Sequence, residues 1–199
     1  MEFNKELIYK IIDNKIDKIR LYGLTKQELN TLYHVLNLNY SLKELDLSWN
    51  QIKDITLLCK SLKNKSYLKT LVLSGNQIED ITPLKYLEYN SCLKVLGLSW
   101  NKIEDFNPLK FLSNYCLEIL KLVGNQIKNI TFLKFLENNS CLKILDLSNN
   151  KIEDITVLCK FLENNSCLKV LYLDSNKIKD KDIQKIIELA ELKQIELWI

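Results

Sequence analysis

Six cysteines and a single histidine are the side chains here best suited to chemistry, and their spacing decides which chemistry is open to them. Cys92, Cys116, Cys141 and Cys167 stand 24, 25 and 26 residues apart, each directly before a leucine. Cys59 and Cys159 occupy matching phrases, LLCKSL and VLCKFL. A zinc site needs clustered ligands, commonly opened by a C-x-x-C pair. No such pair exists and His34 has no companion ligands, so no metal is expected. A disulfide framework is the other chemistry open to six cysteines. Their interval is that of a repeating unit, however, which predicts a stacked column of small buried side chains and six free thiols. Asp54, Asp80, Asp105 and Asp154 recur with the same turn and read as residues at helix N-termini rather than catalytic acids. There is no glycine-rich phosphate loop and no nucleophile with a recognisable base. The expectation is a non-enzyme with no catalytic residue, no metal and no cofactor.

The elements that hold these residues form a repeat. Units begin at Leu42, Leu68, Leu93, Leu117, Leu142 and Leu168, with a last partial unit at Leu192. Each of the six full units opens L-x-x-L-x-L-x-x-N-x-I. Alternation in L-x-L puts both leucines on one strand face and the residue between them on the other. One unit cannot enclose its own leucines, so neighbours must stack into a parallel sheet over a shared core. The second half of each unit reads as a helix. In DITPLKYLEYN, Thr82 suits the N-cap and Pro83 the first helical position, and Asn107 with Pro108 repeats that arrangement. Leu84 and Leu87, like Leu133 and Leu136, then face the core at helical spacing. Helices are wider than strands, which bends the stack into an arc with the strands inside.

Across residues 42–178 this pattern resembles the leucine-rich-repeat family without a gap. The following D-I-T-x-L element is similar to the short-repeat subclass that includes protein phosphatase regulatory subunits, although these units run 24–26 residues. The resemblance implies an α/β leucine-rich-repeat solenoid, curved, with a parallel sheet on the concave face and helices on the convex face. It also implies a ladder built from Asn50, Asn76, Asn101, Asn125, Asn150 and Asn176, whose amides satisfy backbone groups of the adjacent unit.

Both ends depart from the repeat. Residues 1–41 read as an N-terminal cap. It comprises an amphipathic helix with Phe3, Leu7 and Ile11 on one stripe, then a degenerate unit built on Ile16, Ile19 and Leu21. In that unit Leu24 replaces the ladder asparagine, and TKQE at Thr25–Glu28 forms a capping box. Residues 42–191 hold the six repeats and 192–199 a terminal strand, all within one domain. Ile195 and Leu197 are expected to point inward, with Glu196 and Trp198 outward. One edge of this strand is expected to be unpaired, which predicts a weak homodimer through the C-terminal strand or a longer natural chain.

The outward strand positions carry the functional signal. Between the second and third leucines stand Asp46, Val72, Gly97, Lys121, Asp146 and Tyr172; two positions earlier stand Glu44, Thr70, Val95, Ile119, Ile144 and Val170. Together they predict an apolar concave patch with Lys121 and Asp146 inside it. Trp49 and Trp100 precede ladder asparagines two units apart and rim this patch. An exposed apolar patch with aromatic anchors is the usual form of a protein-binding site. The structural alternative is that β-branched residues simply suit strands and each tryptophan packs over a neighbouring turn. A second stripe, Lys43, Lys69, Lys94, Lys143, Lys169 and Lys193, is broken only by Glu118 and reads as a solvated rim.

Composition narrows the remaining choices. The chain has 199 residues, 47% of them hydrophobic, and a net charge of +3, too mild to predict nucleic-acid binding. No apolar run approaches a membrane span, and the first residues lack the apolar core of a signal peptide. A cytoplasmic protein-interaction module, an adaptor or regulatory scaffold, is therefore the leading expectation. Its partner would be a protein on the concave face, with no membrane and no nucleic acid. The alternatives are a ligand-recognition ectodomain or secreted effector, suggested by sequons at Asn39, Asn64, Asn129, Asn138 and Asn164, and an RNA-associated assembly protein, suggested by the lysine stripe.

Overall fold

The computed structural model describes residues 2–112, 116–137 and 139–199. Eight three-residue strands form one parallel sheet in strict chain order: β1 (Lys18–Arg20), β2 (Glu44–Asp46), β3 (Thr70–Val72), β4 (Val95–Gly97), β5 (Ile119–Lys121), β6 (Ile144–Asp146), β7 (Val170–Tyr172) and β8 (Glu196–Trp198). The middle leucine of each repeat pairs with the next, from Leu45 through Leu71, Leu96, Leu120 and Leu145 to Leu171, and all are fully buried. The result is the expected curved α/β solenoid, with the sheet on its concave face and the helical segments on its convex face.

The helical halves differ with unit length. The 26-residue units that begin at Leu42 and Leu142 carry α-helices, α3 (Thr56–Ser61) and α4 (Thr156–Asn164). The 24- and 25-residue units between them carry 3₁₀ segments instead, Thr82–Leu87, Asn107–Leu112 and Thr131–Leu136. A 3₁₀ helix rises about 2.0 Å per residue against about 1.5 Å for an α-helix, so fewer residues cross the same slice. Leu84, Leu87, Leu133 and Leu136 are buried as expected, at the i, i+3 spacing that a 3₁₀ turn also satisfies. Phe106 and Phe132 fill the core between two of these turns, with ring centroids 5.5 Å apart.

Thr82 is not the N-cap. The helical segment begins at Thr82 itself, and Asp80 Oδ1 accepts a hydrogen bond from its backbone N–H at 2.7 Å. Asp54, Asp105, Asn129 and Asp154 make the same two-residue bridge to Thr56, Asn107, Thr131 and Thr156. A carboxylate two positions back reaches this N–H where the short threonine hydroxyl does not, which explains the recurring aspartates.

The ladder asparagines are tied into the unit before each of them. Asn76 Nδ2 donates to the carbonyl of Leu47 at 3.0 Å, while its Oδ1 accepts from the N–H groups of Asn50 and Ile52. Asn101, Asn125, Asn150 and Asn176 repeat the pattern toward Ile78, Ile103, Ile127 and Ile152. At the cap, Leu24 presents only its backbone N–H, which donates to Asn50 Oδ1 at 2.7 Å.

A second polar column, unread in the sequence, runs three residues before the first leucine of five units, Asn114 before Leu117 lying outside the described residues. Asn39, Asn90, Asn139 and Asn165 are buried there. Asn165 Oδ1 accepts from the N–H groups of Cys167 and Leu168 and its Nδ2 donates to the carbonyl of Asn139. Lys65 takes this position in one unit, its buried ammonium donating to the carbonyls of Asn37 and Asn39. Desolvation holds its pKa below the usual lysine value.

The ends follow the expected plan with two corrections. The cap comprises α1 (Lys5–Ile12), with Leu7 and Ile11 buried, then β1 and α2 (Lys26–Leu38), whose Thr25–Glu28 capping box is formed. At the other end α5 (Asp180–Lys193) includes Leu192, which is 75% exposed and is no core leucine. Strand β8 pairs Leu197 with Leu171, two residues out of step with a unit starting at Leu192. A slip of two keeps every side chain on its face, so Ile195 is buried and Trp198 exposed as expected. Lys193 is thereby taken off the lysine stripe; its ammonium donates to the carbonyl of Glu163 at 2.6 Å.

The cysteine column is corrected as well. Cys116 and Cys141 form a disulfide between adjacent units, with Cα atoms 5.1 Å apart. Cys92 is exposed and Cys167 half-buried, both free, because the residue before the first leucine sits at the rim and not in the core. Cys59 and Cys159 are buried free thiols, and burial raises the pKa of each.

Candidate protein-interaction face

The outward side chains of the sheet fall into two columns fixed by strand register. One reads Glu44, Thr70, Val95, Ile119, Ile144, Val170 and Glu196; the other reads Asp46, Val72, Gly97, Lys121, Asp146, Tyr172 and Trp198. Neighbouring strands lie about 4.8 Å apart, so Val95, Ile119, Ile144 and Val170 make a continuous apolar line, each side chain half-buried by its neighbours. Val72 lies second in the second column, after Asp46, and Tyr172 second from its other end, while Lys121 is exposed and Asp146 half-buried between them. Every expected site residue on the strands faces the same side. Trp198 extends the aromatic end, stacked on Tyr172 with centroids 6.0 Å apart and planes inclined by 19°. Its outward direction was legible from alternation; its contact with Tyr172 required the two-residue register correction.

Trp49 and Trp100 belong to the turns above the strands. Both sit in left-handed backbone, with φ of 59° and 55°, a conformation in which a bulky residue is uncommon. Gly75, Gly124, Asn149 and Ser175 share that conformation at the equivalent positions. Each indole lies against the glycine of the next unit: a Cβ at Gly75 would collide with the Trp49 ring, and one at Gly124 with the Trp100 ring. The structural alternative, a tryptophan packed over its neighbouring turn, is therefore realised on one side of each ring. Even so, Trp49 remains 63% exposed and Trp100 52%.

Charge is distributed unevenly. At the N-terminal end Lys18 pairs with Glu44 at 2.8 Å, Arg20 with Asp46 at 3.4 Å, and the Tyr22 hydroxyl donates to Asp46 at 3.2 Å. Along the rim Glu118 accepts from Lys143 at 2.7 Å and from Lys94 at 2.5 Å. Those two hydrogen bonds, Lys143's first, hold the Glu118 carboxyl down to about 2. Lys43 pairs with Asp17 at 2.9 Å. The lysine stripe is thus partly neutralised by its own neighbours. Among the described residues no group of three His, Cys, Asp or Glu side chains is arranged to hold a metal ion. No helix among them is long and apolar enough to cross a membrane.

Stacked strand–turn–helix units with a leucine core and an asparagine ladder define a repeat solenoid. Family models of leucine-rich repeats match it directly: a two-copy model over residues 40–86 and 117–160, and single-repeat models over 89–105 and 167–188. The chain belongs to the leucine-rich-repeat family. None of the matched descriptions names the phosphatase regulatory subclass. No curated protein matches the chain. Among solved structures it is similar to an internalin of Listeria monocytogenes, at 26% identity and TM-score 0.69, over 96% of this chain and 56% of that one. A leucine-rich-repeat protein of Leptospira interrogans is 28% identical, with TM-score 0.67, over 90% and 41% of the two chains. Internalin C2 of Listeria monocytogenes is 28% identical, with TM-score 0.59, over 94% and 80%. The chain spans about half the length of the first two.

Proposed function

We propose that this is a non-enzymatic protein-interaction module, an adaptor or regulatory scaffold of the cytoplasm, that binds a protein partner on its concave sheet face. The observation that carries the proposal is the unbroken, half-buried apolar line Val95, Ile119, Ile144 and Val170 on the sheet face, overlooked by two half-exposed tryptophans. Exposed apolar area of this kind is costly in water and is the usual signature of a contact surface. The family supports the same reading, since leucine-rich-repeat proteins characteristically act as interaction modules. Affinity capture from native lysate tests it, comparing wild type with a Trp49→Ala/Trp100→Ala double variant. The expected result is a specific partner lost by the variant; equal recovery by both counts against the face.

A second reading, a recognition ectodomain or secreted effector, is favoured by one observation. The Cys116–Cys141 disulfide is of a kind that persists mainly in oxidising compartments. Of the sequons, Asn39 is fully buried whereas Asn64, Asn129 and Asn164 are exposed; Asn138 lies outside the described residues. Localisation of the tagged protein after fractionation separates the two readings.

A further inference from the structure

The two ends of the concave face carry the same kinds of acid but treat them differently. At the N-terminal end Glu44 and Asp46 are matched by Lys18 and Arg20 one strand away. At the C-terminal end Asp146 is the register partner of Tyr172, Asp174 follows Tyr172 by two residues and Glu196 precedes Trp198 by two, and the strands β6 to β8 contribute no cation. Among the described residues none of these three carboxylates has a lysine or arginine within ion-pair distance; their side-chain donors, Ser148 and Trp198, are uncharged. The Ser148 hydroxyl lies 2.8 Å from a carboxylate oxygen of Asp146 and 2.7 Å from one of Asp174, so its single proton can be donated to either and the two acids share one uncharged donor. The Trp198 indole N–H donates to Glu196 at 3.0 Å, fixing the ring over the sheet. Lys121, the register neighbour of Asp146, makes no ion pair with it.

We propose that the C-terminal end of this face receives an arginine side chain from an apolar segment of the partner protein. This rests on the reading of the face as a protein-binding surface and adds the partner's chemistry to it. A planar guanidinium matches both features, stacking on an aromatic face while its N–H groups reach carboxylates. The apolar residues of the same segment would lie along Val95, Ile119, Ile144 and Val170. An RNA strand fits poorly, because its phosphates would meet three unneutralised carboxylates.

The full chain, titrated with the synthetic peptide acetyl-Leu-Val-Arg-Val-Leu-amide and its citrulline counterpart, provides the test. Citrulline keeps the shape of arginine and removes its charge. NMR follows the Trp198 indole N–H and the methyl groups of Ile119 and Ile144. The arginine peptide should shift the Trp198 signal and bind about tenfold more tightly than the citrulline peptide. In an Asp146→Asn/Asp174→Asn variant, which keeps the oxygens that Ser148 uses, that preference should vanish while citrulline-peptide binding is unchanged. Equal binding of the two peptides, a preference that survives in the asparagine variant, or displacement of the peptide by oligouridylate overturns the arginine assignment. If methyl shifts at Ile119 and Ile144 persist without charge preference, the assignment fails and the protein-binding face stands. Silence at all three positions counts against both.

Discussion

A ladder asparagine serves two units at once, so its removal has a cost that no surface residue matches. Asn125 is buried, donates to the carbonyls of Leu98 and Leu122, and accepts from the N–H of Ile103. Asn125→Ala leaves those groups unpartnered and should lower stability by roughly 1–3 kcal/mol. Lys94→Ala, at an exposed ion pair, should stay within about 0.5 kcal/mol. Denaturant melts measure both, and equal effects would mean that the asparagine column does not hold the stack. The rim carboxylate Glu118 has a pH signature. Its folded pKa lies near 2 against an ordinary 4.5, so its stabilising effect is present above 4.5 and is lost as pH falls toward 2. The stability difference between wild type and Glu118→Gln should therefore shrink across that window; a difference constant with pH would contradict the Lys94–Glu118–Lys143 clamp. This clamp was hidden in the sequence because Glu118 reads there as a mere interruption of the lysines.

At the scale of elements, the features set by period two or by a side-chain column were legible, and those set by chain path were not. Burial of Leu45, Leu71, Leu96, Leu120, Leu145 and Leu171, and the outward facing of Ile119 and Tyr172, follow from alternation alone. The 3₁₀ turns were missed because Leu84 and Leu87 satisfy helix and 3₁₀ spacing alike; the shorter unit length was the available signal. The β8 register was misread because Leu192 mimics a first leucine while belonging to α5. The second asparagine column was visible in N-S-C-L but went unread, because the sequons at Asn138 and Asn164 fall one residue earlier and drew the reading away from it. The cysteine error has a related cause. The spacing located a column correctly, yet a column at the rim brings neighbouring sulfurs together without burying them. Thiol counting under denaturing, non-reducing conditions should give four reactive groups, rising to six after reduction. Six before reduction would remove the Cys116–Cys141 bridge.

Across the whole molecule, stacking order leaves the sheet with two margins, β1 and β8. Strand β8 pairs with β7 on one side, and among the described residues no strand pairs with its other side, the kind of edge on which a further strand can add. We propose weak self-association there, which Trp198→Lys should disfavour. Light scattering over a concentration series should show a concentration-dependent dimer for wild type; a monomer throughout, unchanged by the substitution, would reject it. The concave face is a separate matter, since its columns run across all the strands rather than along one edge. Hydrogen–deuterium exchange of the chain alone and bound to its captured partner tests that face most directly. Protection should concentrate on residues 95–97, 119–121, 144–146 and 170–172, with the convex segments at 82–87, 107–112 and 131–136 unchanged. Protection confined to the convex segments, with the strands unaffected, would contradict the account.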